Sequence, residues 1–176
     1  MIKQEKIFSK EDCNEIISFH KWAIYDTTLN NGNLDSTNIK YKGFTIPINS
    51  KTLFFYEKLF KFYEEAQDTI LYGYPSETYL MKYDVNDVFS KHSDDEHDRF
   101  FSIGICLNDD YGGGEFILYP KNQEQIILNK EMGNVYFFPC DVEHEVKKIT
   151  KGTRWSIISF IRKKDYLNLK TKKTLL

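Results

Sequence analysis

The sequence predicts a mainly β protein with helices confined to its N-terminal part, an α+β arrangement whose second half closes into a sandwich or barrel. Two stretches before residue 71 carry apolar residues at helical spacing. After Gly73 and Pro75, short runs rich in aliphatic and aromatic residues follow one another, with Asn, Asp and Gly between them. Strands this short and this closely spaced imply a two-sheet or barrel architecture.

The first helix is expected from about Lys10 to Trp22. Ser9 followed three residues later by Asp12 comes close to a capping box, and Cys13, Ile16, Ile17 and Phe19 then recur at roughly helical spacing. Asp26 to Lys42 is rich in Asn, Thr, Gly and Asp and reads as an unusually long polar loop, with Trp22, Tyr25 and Tyr41 at its borders. Leu53, Phe54, Leu59, Phe60, Phe62 and Tyr63 then place a second helix over Lys51 to about Ile70, its aromatic stripe serving as core against a sheet.

The β half starts with a strand over Thr78 to Asp84, a turn at Asn86-Asp87 and a short strand from Val88 to His92. Phe100 to Leu107 is apolar enough to be a buried central strand, and Asn108 to Gly114 supplies the turn after it. Further strands are expected at Glu115–Tyr119, Gln125–Leu128, Val135–Phe138, Val142–Ile149 and Arg154–Ile161. Arg162, Lys163, Lys164, Lys170, Lys172 and Lys173 read as a solvated basic tail.

A chain of 176 residues suits one domain, 1–176, with helical support over about 1–75, the β core over about 76–162 and the tail over 163–176. The net charge of −2 provides no field to attract nucleic acid or an anionic membrane, and no apolar run approaches the roughly 20 residues of a membrane helix. Cys13, Cys106 and Cys140 form an odd set without a C-x-x-C pair, and the chain opens without an apolar signal segment, which fits a reduced, cytoplasmic setting. The sequence sets no oligomeric state.

The chemistry gathers between Lys91 and Phe160. His92 and Asp94 are two apart, a spacing that puts both on one face of an extended strand, and His144 follows 50 residues after Asp94. Two imidazoles and one carboxylate can hold non-haem Fe(II) with coordination positions left open; zinc accepts the same donors. Arg154 lies ten residues past His144 on a strand running into Ile157 and Ile158, and its planar fork suits a bidentate grip on a carboxylate. Pointing into a barrel, that guanidinium needs an anion. Ser156 shares its strand face and could add a hydroxyl. His20 and His97 have no comparable partners, and His97 sits in an acidic loop, Asp94 to Asp98, beside the candidate site.

His92-Ser93-Asp94, Arg99, Leu107-Asn108-Asp109-Asp110-Tyr111, Gly113-Gly114-Glu115, Gly133 to Pro139, His144, Gly152 and Arg154 together resemble the Fe(II)- and 2-oxoglutarate-dependent dioxygenases, most nearly the prolyl 4-hydroxylase-like branch. The resemblance spans about Thr78 to Arg162. It implies a double-stranded β-helix, or jelly-roll, core and Fe(II), 2-oxoglutarate and O2 as cofactor and co-substrates, with ascorbate a further candidate. It assigns the iron to His92, Asp94 and His144, and the far carboxylate of 2-oxoglutarate to Arg154. Tyr83 and Ser156 are its further co-substrate residues, and Arg99 is placed on the substrate side. Where some relatives carry a tyrosine just before the Leu-Asn pair to bind the co-substrate, this chain has Ile105 and Cys106, which shifts weight to Tyr83, Arg154 and Ser156. Retention of Asp94 implies hydroxylation over halogenation. The implied substrate is a prolyl residue in a peptide or protein; the alternatives are a free amino acid or other small molecule, and a jelly-roll metal-binding module without turnover.

Overall fold

A computed structural model describes residues 2–25, 39–67, 77–96 and 98–162. In chain order its elements are β1 (Lys3–Lys6), α1 (Lys10–Ser18) with a 3-10 turn over Phe19–Lys21, β2 (Ile24–Tyr25), β3 (Ile39–Lys40), β4 (Lys42–Thr45), α2 (Leu53–Gln67), β5 (Glu77–Tyr83), β6 (Val88–His92) and β7 (Arg99–Cys106). There follow β8 (Gly112–Gly113), β9 (Phe116–Tyr119), β10 (Ile126–Ile127), β11 (Asn134–Pro139), β12 (Glu143–Val146), β13 (Ile149–Lys151) and β14 (Arg154–Arg162).

Helix α1 starts where its cap chemistry says it should. The Asp12 amide donates to Ser9 Oγ at 3.1 Å and the Ser9 amide to Asp12 Oδ2 at 2.8 Å, a reciprocal box that satisfies two otherwise unpaired donors. Asp12 Oδ2 also takes Lys58 Nζ at 2.6 Å, tying α1 to α2. The helical expectation to Trp22 is met as nine α residues plus the 3-10 turn, and the second helix is shorter at its start than Lys51. The Gly73-Pro75 break, the basic tail over 163–176 and His97 lie outside the described residues.

The strands form an antiparallel seven-stranded sheet, β1-β11-β7-β14-β5-β4-β2, a five-stranded sheet, β10-β9-β12-β6-β3, and a small β13-β8 pair. Alternation along the strands divides the large sheet's side chains between two cores. Leu80, Ile103, Ile105, Val135, Phe137 and Ile157 face α1 and α2, where they meet Ile16, Phe55, Leu59 and Tyr63. Met81, Tyr83, Cys106, Tyr136 and Phe138 face the other way and meet Phe116, Leu118 and Val146 of the five-stranded sheet. Two facing antiparallel sheets of this kind are the jelly-roll core, and the functional side chains project into the space between them.

The N-terminal part differs from a purely helical support. β1 pairs with β11 at one edge of the large sheet, while β4 pairs with β5 and β2 with β4 at the other. Lys3-Gln4-Glu5-Lys6 has no apolar alternation because it is an edge strand, where charged side chains are tolerated and protect the open edge. Gly133 explains the turn into β11: its φ is +88°, its carbonyl accepts from Ile7 and Phe8, and a Cβ there would meet the Phe8 carbonyl oxygen at 2.0 Å. The expected long loop is corrected at its end, since residues 39–40 and 42–45 are strands; residues 26–38 lie outside the described residues. The expected strand Val142–Ile149 is two, β12 and β13, because the second half leaves the five-stranded sheet to pair with β8.

Candidate functional site

His92 ends β6 and stands directly opposite His144 on β12. Val146, buried at the inner core, is paired with Phe89; His144, two residues from Val146, shares its face, whereas His92 is three residues from Phe89 and comes opposite His144 only through the register shift between the two pairings. Asp94 lies just past the end of β6, where its amide donates to the Cys140 carbonyl at 2.8 Å and so folds the chain back over the histidine pair. The side chains meet: Nε2 of His92 is 3.6 Å from Asp94 Oδ1, and Nε2 of His144 is 3.3 Å from Asp94 Oδ2.

The donor set fits a metal cation. Nδ1–H of His92 donates to the Ser90 carbonyl at 2.8 Å and Nδ1–H of His144 to the Val142 carbonyl at 3.0 Å; a carbonyl can only accept, so in the neutral rings both Nε2 atoms carry lone pairs. Burial pushes His144 below its ordinary pKa and keeps it neutral. Burial opposes ionisation of Asp94, yet positive charge on the adjoining imidazoles and the Ser102 hydroxyl outweigh it and hold the carboxyl below its ordinary value, a pull that a bound cation would supply in place of imidazolium charge. The two Nε2 atoms and the carboxylate lie within 4.8 Å of one another, a donor set that a metal cation at its centre would satisfy.

Three supports around this set escaped sequence reasoning. Ser102, the one hydroxyl-bearing residue in β7, donates to Asp94 Oδ2 at 2.8 Å and is fully buried. Cys140 Sγ is 3.3 Å from that hydroxyl. The Phe89 ring stacks on His92 with centroids 3.9 Å apart and planes 12° from parallel, fixing the imidazole plane. A lone serine inside Phe100–Leu107 was the available signal for the first; nothing local marks the other two.

Arg154, at the start of β14, is 2% exposed. Its Nη1 donates to Ser156 Oγ at 2.7 Å, and its guanidinium carbon lies 5.2 Å from the ring centre of Tyr83, its cross-strand partner on β5. The phenols of Tyr111 and Tyr136 are its other close electrostatic neighbours. Burial pushes Tyr83, Tyr136 and Tyr111 above the ordinary phenol value, so all three stay protonated. Among the described residues no carboxylate lies within ion-pair distance of Arg154. A buried cation surrounded by neutral hydroxyls is a site for an anion.

One cavity joins the two ends. Tyr83, Arg154, Ser156 and Tyr136 line it at the arginine end, His92, Asp94 and His144 at the metal end, and Tyr79, Phe160 and Arg99 beyond. Tyr41, expected only to border a loop, also faces into this cavity, stacked on Phe89. Arg99 reaches it under constraint: its Nε and Nη2 both contact Glu77 Oε2, at 2.8 and 2.7 Å, and its guanidinium lies 3.8 Å over the Phe160 ring. Glu77 also pairs with Arg162, so two guanidiniums share one carboxylate. His20 is elsewhere, between Phe44 and Trp155.

Comparisons with known proteins agree with this geometry. A family model described as the 2OG-Fe(II) oxygenase superfamily matches residues 72–162. No curated protein matches the chain at a significant level. Among solved structures, an oxidoreductase of the 2OG-Fe(II) oxygenase family from Burkholderia pseudomallei is similar at TM-score 0.72 and 16% identity, over 90% of this chain and 84% of that one. A Pseudomonas putida prolyl-4-hydroxylase is similar at TM-score 0.72 and 13% identity over 92% of each chain. A Trichoplax adhaerens prolyl hydroxylase, in complex with a hypoxia inducible factor oxygen degradation domain peptide fragment, is similar at TM-score 0.74 and 13% identity, over 93% of this chain and 84% of that one.

Proposed function

The chain belongs to the 2OG-Fe(II) oxygenase superfamily, and from that premise we propose that it hydroxylates a C–H bond of a prolyl residue in a peptide or protein. Membership brings Fe(II), 2-oxoglutarate and O2 as cofactor and co-substrates. When bound, the iron would supply the oxidising chemistry by which 2-oxoglutarate, O2 and a substrate C–H become succinate, carbon dioxide and the corresponding C–OH, one oxygen atom going to succinate and one to the product.

The residues divide this work by position. His92, Asp94 and His144 would hold the iron, with Ser102 fixing the carboxylate. Arg154 would hold the far carboxylate of 2-oxoglutarate, with Ser156 and Tyr83 orienting the guanidinium. The aromatic and aliphatic lining excludes water, which strengthens that charge pair. The substrate enters beyond the metal, against Tyr79 and Phe160, a wall that suits the apolar pyrrolidine ring. Arg99 turns its remaining donors to the peptide, since Glu77 occupies Nε and Nη2. The two prolyl hydroxylases of similar fold, one with a peptide bound, support this substrate class.

The reading includes a single domain over residues 1–176. Among the described residues, no helix is long and apolar enough to cross a membrane. A cytoplasmic setting is proposed from the three buried cysteines, each a free thiol.

The observation that carries the proposal is the shared cavity: a two-histidine, one-carboxylate set at one end and a buried, carboxylate-free arginine at the other. Anaerobic titration with Fe(II) and 2-oxoglutarate tests it through the weak visible charge-transfer band of the chelate, which His92→Ala should abolish. Release of succinate only with an added prolyl peptide, accompanied by a mass gain of one oxygen on proline, supports the substrate class. A mass gain on free amino acids instead would redirect it to small molecules, and a band without succinate release would leave a binding module.

A further inference from the structure

Tyr136 on β11 lies across Gly104, its cross-strand partner on β7. A Cβ on Gly104 would fall 2.0 Å from Tyr136 Cε2, 2.1 Å from Cζ and 2.3 Å from the phenol oxygen, so the ring's polar end occupies the space that any side chain at 104 would fill. The ring is 2% exposed and is backed by Phe116 at 5.0 Å between centroids. This packing places Tyr136 in the cavity wall that Arg154 also lines, close enough for the two to interact electrostatically.

Donor arithmetic gives that hydroxyl a task. A guanidinium only donates, so toward Arg154 the phenol can act only as acceptor, and its own proton must go to another acceptor. The ring is buried and stays protonated, so the donor is always available. Cys106, which faces the same interior from β7, contributes little here: its thiol is a weak donor and points to the Asn129 carbonyl at 3.8 Å. Arg154, Ser156 and Tyr136 instead converge on one space.

We infer that Tyr136 is a further co-substrate-binding residue, donating its phenol to the same far carboxylate of 2-oxoglutarate that Arg154 grips, and that Gly104 is glycine in order to admit it. The inference rests on the proposed use of 2-oxoglutarate at Arg154. A phenol and a guanidinium on one carboxylate read both its charge and its distance from the metal, so together they select a 2-oxo acid with a second carboxylate at that distance.

The test is calorimetric titration of 2-oxoglutarate and of pyruvate, which lacks the far carboxylate, into the Mn(II)-loaded protein and its Tyr136→Phe variant. Tyr136→Phe removes one oxygen and leaves the ring packing in place. The expected result is 2-oxoglutarate binding weakened roughly tenfold or more, as for loss of a hydrogen bond to a charged group, with pyruvate binding unchanged. Equal 2-oxoglutarate affinity in the two proteins overturns the role of Tyr136 alone. Equal weakening of both ligands also overturns it, by placing the effect at the metal end. Failure of the wild-type protein to prefer 2-oxoglutarate over pyruvate overturns the co-substrate reading of Arg154 and this inference with it.

Discussion

Asn108 grips the backbone on both sides of Arg154: its Nδ2 donates to the Thr153 carbonyl at 2.7 Å and its Oδ1 accepts from the Trp155 amide at 2.7 Å. The residue carrying the buried charge is thus held from its two flanking peptides by a side chain from the turn after β7. Asn108→Ala strips a partner from two peptide groups in a half-buried setting and should cost about 2–3 kcal/mol of stability in chemical denaturation. It should also weaken 2-oxoglutarate binding while leaving Mn(II) affinity near wild type. Equal loss of both affinities would show general loosening of the fold.

Arg154 carries an unneutralised charge in the ligand-free protein, and this separates its contribution to stability from its contribution to binding. Arg154→Met should raise stability without ligand by about 1 kcal/mol, because an apolar chain of similar length replaces a buried guanidinium. The same variant should weaken 2-oxoglutarate binding by roughly 2–5 kcal/mol. Thermal melts with and without the ligand read both effects. A variant that melts lower in the absence of ligand would mean that the lost contacts to Ser156 and Tyr83 outweigh the relief of the buried charge.

Ser102 holds Asp94 from outside the metal's own donor set. Removing such a support commonly lowers metal affinity 10- to 100-fold. Ser102→Ala should therefore weaken Mn(II) binding by about that factor, measured by competition with a chelator, and Ser102→Thr should recover much of it because the hydroxyl is kept. Unchanged affinity in the alanine variant would assign the serine to packing alone.

Asp12 offers a pH test remote from the site. Burial raises its carboxyl pKa, but the Lys58 ammonium and the Ser9 cap prevail and hold it below the ordinary value. A depressed folded-state pKa contributes stability that is full above the unfolded value, about 3.9, and fades as pH falls through the folded one. Asp12→Asn should then cost about 1 kcal/mol at pH 7 in urea denaturation, and the gap to wild type should shrink toward pH 3. A gap independent of pH would show that the charge contributes nothing.

Local chemistry made much of this protein legible from its residues. The Ser9–Asp12 box, the aromatic stripe of α2 and the short strands after residue 76 are set by propensity and periodicity, which act within a few residues. His92, Asp94, His144, Arg154 and Ser156 could be named as one group because their types and spacing are unusual together. Less was legible where the signal lies in a neighbour across the sheet. β1 is polar and earns its place only through β11, and the loop ending at Lys42 conceals two short strands that pair with distant partners. Arg99 gave no hint of Glu77, 22 residues earlier, as the group that holds it.

The sequence by itself determined the order of helices and strands and the kinds of side chain available for the chemistry, because these follow from each residue's own shape, charge and immediate neighbours. Only the tertiary structure decided that Tyr136, from the strand beside Cys106, stands at the arginine end of the cavity, and that Asn108 brackets Arg154. Pairing across antiparallel strands joins residues far apart in the chain, and register places a ring over a glycine by a geometry that neither residue carries alone.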